Sequence, residues 1–205
     1  MSRAGETDKS KRAWQRMLSG RRLDLLEPSP DDVAIEDIAH GLARVARWNG
    51  QTTGAHALSV AQHAMVVEEI VAALNPDFGQ AERLAALLHD APEYVIGDLI
   101  SPFKAAIGLD YKAFELRLLS AIHAAFGLPG TLPAHVTSAI KDADRVAAYF
   151  EATRLAGFSL DEAEQFFGNP EVPPALATHL EKMAPWPAND AQARFLERFS
   201  QLARR

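Results

Sequence analysis

With 205 residues, 48% of them hydrophobic, the chain has enough apolar mass to build a core without covalent staples. A net charge of −6 argues against a domain-wide surface for nucleic acid. The lack of cysteine excludes disulfides and thiolate zinc sites, so any metal must be held by nitrogen and oxygen.

The longest apolar runs fall far short of a membrane span, and the N-terminus lacks the apolar block of a signal peptide. Both predict a cytoplasmic protein without membrane contact. Seven basic side chains, among them Lys9, Lys11, Arg12, Arg21 and Arg22, crowd the first 22 residues. Residues 1–20 read as a solvated, partly disordered arm. Leu23-Asp24-Leu25 is the only strand candidate.

Beyond it, nearly everything reads as helix. Ile35, Ile38, Ala39, Leu42, Val45 and Ala46 recur at helical spacing and predict an amphipathic helix over 32–47, ended by Asn49-Gly50. Ser59-Val60-Ala61-Gln62 has the form of a capping box, with Ser59 as N-cap and Gln62 reaching back. The helix behind it should run from Val60 to Leu74. Residues 80–90, rich in Ala and Leu, predict a buried helix. Pro92 suits the first turn of a short helix opened by Asp90 or Ala91, and Gly97 suits its end.

A further helix covers 110–126, and Thr137 can cap another running from Ser138 to Leu155. Pro170, Pro173, Pro174, Pro185 and Pro187 predict an irregular stretch over 157–190. A last amphipathic helix carries Phe195, Leu196, Phe199 and Leu202. The fold expected over 21–205 is all-α, a compact single-domain helical bundle.

Chemistry concentrates where Leu87-Leu88-His89-Asp90-Ala91-Pro92-Glu93 ends a small apolar run with an adjacent histidine and aspartate. His63, one turn inside its helix, shares a face with Val60, Val66 and Val67 and should be buried. A lone buried histidine is more often hydrogen-bonded than a ligand, and Asp90 has a simpler use as an N-cap. Yet a carboxylate ending a buried helix needs charge compensation, and one divalent ion would satisfy His63, His89 and Asp90 together. A fourth ligand can come from Asp142 or Asp144. Asp144 shares its side with Ile140, Ala147 and Ala148, a smaller and more apolar flank than that of Asp142, which favours Asp144 as the inward residue. Two imidazoles and two carboxylates suit Mn, Fe, Co, Ni or Zn.

In the order His63, His89-Asp90, Asp144, the chain resembles the HD-domain phosphohydrolases, named for a His…His-Asp…Asp metal signature. It is similar in particular to bacterial 5′-deoxynucleotidases and phage-type deoxynucleoside triphosphohydrolases. The likeness extends to Asp37-Ile38-Ala39, Arg47-Trp48-Asn49-Gly50, Ser59-Val60-Ala61-Gln62-His63, the stretch from Pro92-Glu93 to Gly97-Asp98, and Lys141-Asp142-Ala143-Asp144.

The resemblance implies one divalent metal ion on His63, His89, Asp90 and Asp144, and a small-molecule nucleotide as substrate. Arg47 would grip phosphate with its planar fork, and Trp48 would stack on base or sugar. Glu93 would position or deprotonate the attacking water, or protonate the leaving 5′-oxygen, and Asp98 would orient that water. His56 is a further candidate to reach substrate, while Lys104 reads as a solvated lysine. A homodimer is expected from the family. The activity implied is hydrolysis of (deoxy)nucleoside 5′-monophosphates. Triphosphohydrolysis and a non-catalytic, nucleotide-sensing module stay open as alternatives.

Overall fold

The computed structural model describes residues 13–99 and 109–204. Lys9, Lys11, Arg12 and Lys104 lie outside them. Two short strands, β1 (Trp14–Arg16) and β2 (Arg22–Asp24), pair antiparallel with Gln15 opposite Leu23. Part of the expected arm therefore folds back as a hairpin, pinned by the Arg22 guanidinium 4.4 Å from the centre of the Trp14 ring.

Every other element among the described residues is helical. The first four helices are α1 (Ile35–Leu42), α2 (Val60–Leu74), α3 (Gln80–Leu87) and α4 (Glu93–Ile96). Then come α5 (Leu109–Ala125), α6 (Ala134–Arg154), α7 (Leu160–Phe167), α8 (Pro174–Glu181) and α9 (Ala188–Leu202). The expected all-α, single-domain architecture is what the chain adopts. Among the described residues no helix is long and apolar enough to cross a membrane.

Eleven of the fifteen residues of α2 are buried, so this helix is the axis of the fold. A helix apolar on nearly every side must be wrapped, and α3, α6 and α9 pack against it. Its one interior acid is compensated: Glu68, fully buried, receives the Arg83 guanidinium at 2.6 Å from α3 and that of Arg198 at 3.3 Å from α9.

The helix expected over 32–47 spans only Ile35–Leu42. Asp32 instead belongs to a 3-10 turn capped by Ser29. Beyond Leu42 the chain leaves helical geometry because its backbone has better partners across the fold. The Val60 N–H donates to Val45 O at 3.0 Å, and the Arg47 N–H to Leu58 O at 2.8 Å. Ser59 caps α2 by accepting from the Gln62 N–H, but the Gln62 side chain does not reach back as expected. Its amide bridges to the tail, donating to Ala184 O and accepting from the Trp186 N–H, both at 2.9 Å.

Three further expectations are corrected. The helix over 80–90 stops at Leu87, since the His89 N–H bonds Ala86 O and tightens the chain into a turn. Thr137 does not cap α6; the helix starts at Ala134, and the Thr137 hydroxyl donates to Pro133 O from within the first turn. The proline-rich stretch is not irregular throughout, because its prolines start a helix rather than interrupt one. Pro174 occupies the first turn of α8, and Ser159 with Glu162 forms a capping box for α7.

Helix α1 seats α4 through Gly41. A Cβ there would lie 2.8 Å from Tyr94 Cβ and 2.9 Å from the Tyr94 carbonyl oxygen, closer than atoms pack. Tyr94 neighbours Glu93, so this close approach positions the backbone that carries Glu93. Gly41→Ala should push α4 outward and destabilise the fold by about 1–3 kcal/mol, read as a lower urea midpoint at unchanged slope.

Candidate metal centre

Four segments converge here: the 3-10 turn Arg47–Gly50, α2, the α3–α4 turn and α6. His63 on α2 is fully buried, and its Nδ1 lies 2.6 Å from Glu151 Oε1 on α6. His89, in the α3–α4 turn, bonds Ala86 O through Nδ1 at 2.8 Å. Both imidazoles thus have Nδ1 anchored on an acceptor, which places a proton there and, in the neutral ring, leaves Nε2 with the lone pair a metal ion needs. Both Nε2 atoms are buried, and neither makes a hydrogen bond of acceptable geometry. They face one carboxylate: Asp90 Oδ2 lies 3.5 Å from His63 Nε2 and 3.2 Å from His89 Nε2.

His63, His89 and Asp90 therefore form a group able to hold a metal ion, with one ligand atom from each lying within 4.8 Å of the others. Two orphaned imidazole nitrogens and a carboxylate are a donor set that fits a borderline divalent ion. Asp144 Oδ1 stands 3.2 Å from His63 Nε2, beside the same spot. Asp142 points to solvent and pairs with Arg145 at 3.3 Å. Of the two candidates, α6 turns Asp144 rather than Asp142 toward the histidines. Asp90 does not act as an N-cap, since Pro92 holds that place and the Asp90 carboxylate faces the histidines instead.

Arg47 and Trp48 are placed by strain and by one acid. Trp48 and Asn49 both adopt left-handed backbone, with φ of 56° and 50°. For a residue as bulky as tryptophan this costs about 1–3 kcal/mol, which surrounding contacts must offset. Glu151 provides them. Its Oε2 accepts from Trp48 Nε1 at 2.9 Å and from Arg47 Nη2 at 3.3 Å. Arg47 Nη1 also reaches Asp98 Oδ2 at 3.6 Å and Asp90 Oδ2 at 3.9 Å.

Electrostatics follow from this geometry. Burial alone would raise the Glu151 pKa, but Arg47 and then His63 outweigh it and hold the carboxyl below its ordinary value. Burial and Arg47 both oppose a proton on His63. Glu151, Asp144 and Asp90 overcome them, so without a cation its pKa lies well above the usual imidazole value. A metal ion must displace that proton, and binding should release it.

The site opens into a cavity of about 830 Å³. Arg47, Trp48, Asp90, Glu93, Asp98 and Asp144 line it, so the geometry gathers most of the expected site in one place. Glu93 is buried, only 1% exposed, at the first position of α4. His56 is not brought to the site: it is exposed on the loop before α2 and does not line the cavity. Sequence reasoning missed Glu151, whose signal was its place two turns beyond Asp144 on one helix, set among Ala147, Ala148 and Ala152. It also missed Phe158, Phe166 and Phe167, which line the cavity from a stretch expected to be irregular, and gave Lys141 no role.

Glu151→Gln keeps the shape but removes the charge that orients His63 and neutralises Arg47. Affinity for Mn²⁺ or Co²⁺, titrated calorimetrically, should fall about 10- to 100-fold in a variant that circular dichroism shows to be folded. Unchanged affinity would refute the positioning role.

No family model matches the chain. It is 63% identical over 161 residues to an uncharacterised protein of Rhodobacter capsulatus, an overlap of 78% of this chain and 82% of the relative. It is 29% identical over 185 residues to the uncharacterised protein YfdR of Escherichia coli, covering 90% of this chain and 93% of YfdR. At 63% identity over 82% of the relative's length, this chain belongs to one family with the Rhodobacter capsulatus protein.

Proposed function

We propose that this protein is a divalent-metal-dependent phosphohydrolase that cleaves the phosphomonoester of (deoxy)nucleoside 5′-monophosphates. The reading rests on the HD-type resemblance and on one observation above all: the Arg47 guanidinium lies 3.9 Å from Asp90, a candidate ligand of the cation. One phosphoryl group can therefore touch both the cation and the arginine fork.

Charge supports the same order of events. Among the described residues, Asp90, Glu93, Asp98 and Asp144 put four carboxylates in a cavity whose cations are Arg47, Lys141 and Arg145. An anionic substrate is repelled until a divalent ion reverses that balance. Bound there, the ion would supply Lewis acidity and lower the pKa of water. The rest falls to the chain. Arg47 holds nonbridging oxygens, with Asp98 at 3.6 Å fixing its orientation. Glu93 accepts the proton of the attacking water as the new P–O bond forms. The leaving 5′-oxygen takes a proton from solvent water as its bond to phosphorus breaks, and Glu93 returns its proton to solvent once the products leave.

Lys141 and Arg145 favour a second reading. Both line the cavity beyond Arg47 and can neutralise further phosphates, as a triphosphohydrolase needs. Product analysis separates the two. Nucleoside and orthophosphate from monophosphates are expected, whereas nucleoside and tripolyphosphate would establish the triphosphate reaction. Chelation should abolish turnover and also phosphate binding, measured calorimetrically, with both restored by added Mn²⁺ or Co²⁺. No product from any nucleotide with any metal would overturn the proposal.

Glu93→Gln distinguishes an enzyme from a nucleotide-sensing module. Turnover should drop about 100-fold or more while metal content, read by elemental analysis, stays at the parent's level. Undiminished turnover would remove Glu93 from the mechanism.

A further inference from the structure

We infer that Trp48, Phe158, Phe166 and Phe167 form a stacking platform for a nucleobase, so that this cavity selects nucleotides over phosphomonoesters lacking a base. The phosphate end of the argument rests on the function proposed above; the platform itself rests on the aromatic residues.

Phe166 carries the inference. It is 64% exposed, on a helix whose neighbouring Ala163 is fully buried, and it lines the same cavity as Arg47. Core packing therefore does not account for its position. It belongs to a continuous array. The ring centroids of Phe166 and Phe158 lie 6.3 Å apart, those of Phe158 and Trp48 5.6 Å, and those of Trp48 and Phe167 6.1 Å. Interplanar angles for these pairs are 83°, 62° and 81°. The rings meet edge to face, so no pair uses up the parallel stacking that a flat heterocycle prefers.

Size agrees. A cavity of about 830 Å³ is far larger than one phosphoryl group needs and lies in the range of pockets that enclose whole small molecules. Polarity is split: acids and Arg47 surround the metal group, while aromatic rings come from α7 and the Phe158 segment. A molecule with an anionic end and a flat, weakly polar end matches that division. Trp48 joins the halves, since its indole N–H donates to Glu151 while its ring contacts Phe158 and Phe167.

The experiment separates the platform from the phosphate chemistry. Saturation-transfer NMR with 2′-deoxyadenosine and 2′-deoxycytidine, without metal, should show saturation on the base protons. In Phe166→Ala the dissociation constant should rise about tenfold, while Phe166→Trp should keep binding. Phe166 is largely exposed, so the alanine variant should fold, which circular dichroism would verify. In the metal-loaded protein, the ratio of kcat/KM for a deoxynucleoside monophosphate to that for deoxyribose 5-phosphate should fall about tenfold in Phe166→Ala. Nucleosides that fail to bind, or that bind Phe166→Ala as well as the parent, would overturn the platform, as would a protein partner or second copy on Phe166 with nucleoside binding unchanged. Base-proton saturation lost in Phe166→Ala, with no hydrolysis of any phosphate ester, would leave the platform standing and remove the phosphohydrolase reading.

Discussion

One buried carboxylate, Glu151, joins the parts of this site. It takes His63 on one oxygen and Arg47 with Trp48 on the other, linking α6, α2 and the strained 47–50 turn at one point. A carboxylate this deep is tolerable only if its charge and lone pairs are met, and each of its three partners helps to meet them. The dependence runs both ways. Trp48 keeps a left-handed backbone because its indole has an acceptor to reach, and His63 presents Nε2 outward because Nδ1 is occupied. The site is therefore organised from behind, by a residue that does not line the cavity.

The same logic sets its electrostatics. His63 and His89 each have one ring nitrogen tied off, by a carboxylate in one case and a backbone carbonyl in the other, and the free nitrogens share Asp90. Two lone pairs and a carboxylate held this close, with Asp144 beside them, repel one another unless a cation or a proton intervenes. The raised pKa of His63 records that tension. Preorganisation of this kind moves the cost of assembling a site into folding, where the apolar burial of α2 and its neighbours can offset it.

The far side of the cavity comes from a part of the chain that looks unpromising as sequence. Prolines at 170, 173 and 174 suggest loop, yet Ser159 and Glu162 cap α7 and Pro174 opens α8. Local capping outweighed a compositional signal. Of the residues thereby ordered, Phe167 meets Trp48 from more than a hundred positions away in the chain, and Phe166 meets its near neighbour Phe158. The tail is held as specifically, since the Gln62 amide satisfies backbone groups at Ala184 and Trp186 instead of its own helix N-terminus.

What the sequence by itself determined is local or periodic. The span of α2, the burial of His63, the end of α4 at Gly97 and the inward turn of Asp144 rather than Asp142 all follow from 3.6-residue periodicity and glycine's freedom at positive φ. The adjacent His89 and Asp90 marked a group able to hold a metal, because a carboxylate ending a buried helix needs a compensating charge. Tertiary structure decided the rest, for a physical reason common to each case: the partner lies far off in the chain. Helix α1 stops at Leu42 because Val45 and Arg47 pair with the segment 58–60. Asp90 turned from capping to the histidines once His63 came within reach. Glu151 looked like any acid on a helix until folding set Arg47, Trp48 and His63 around it. Periodicity tells which face of a helix is inward, but only the packed fold tells what waits there.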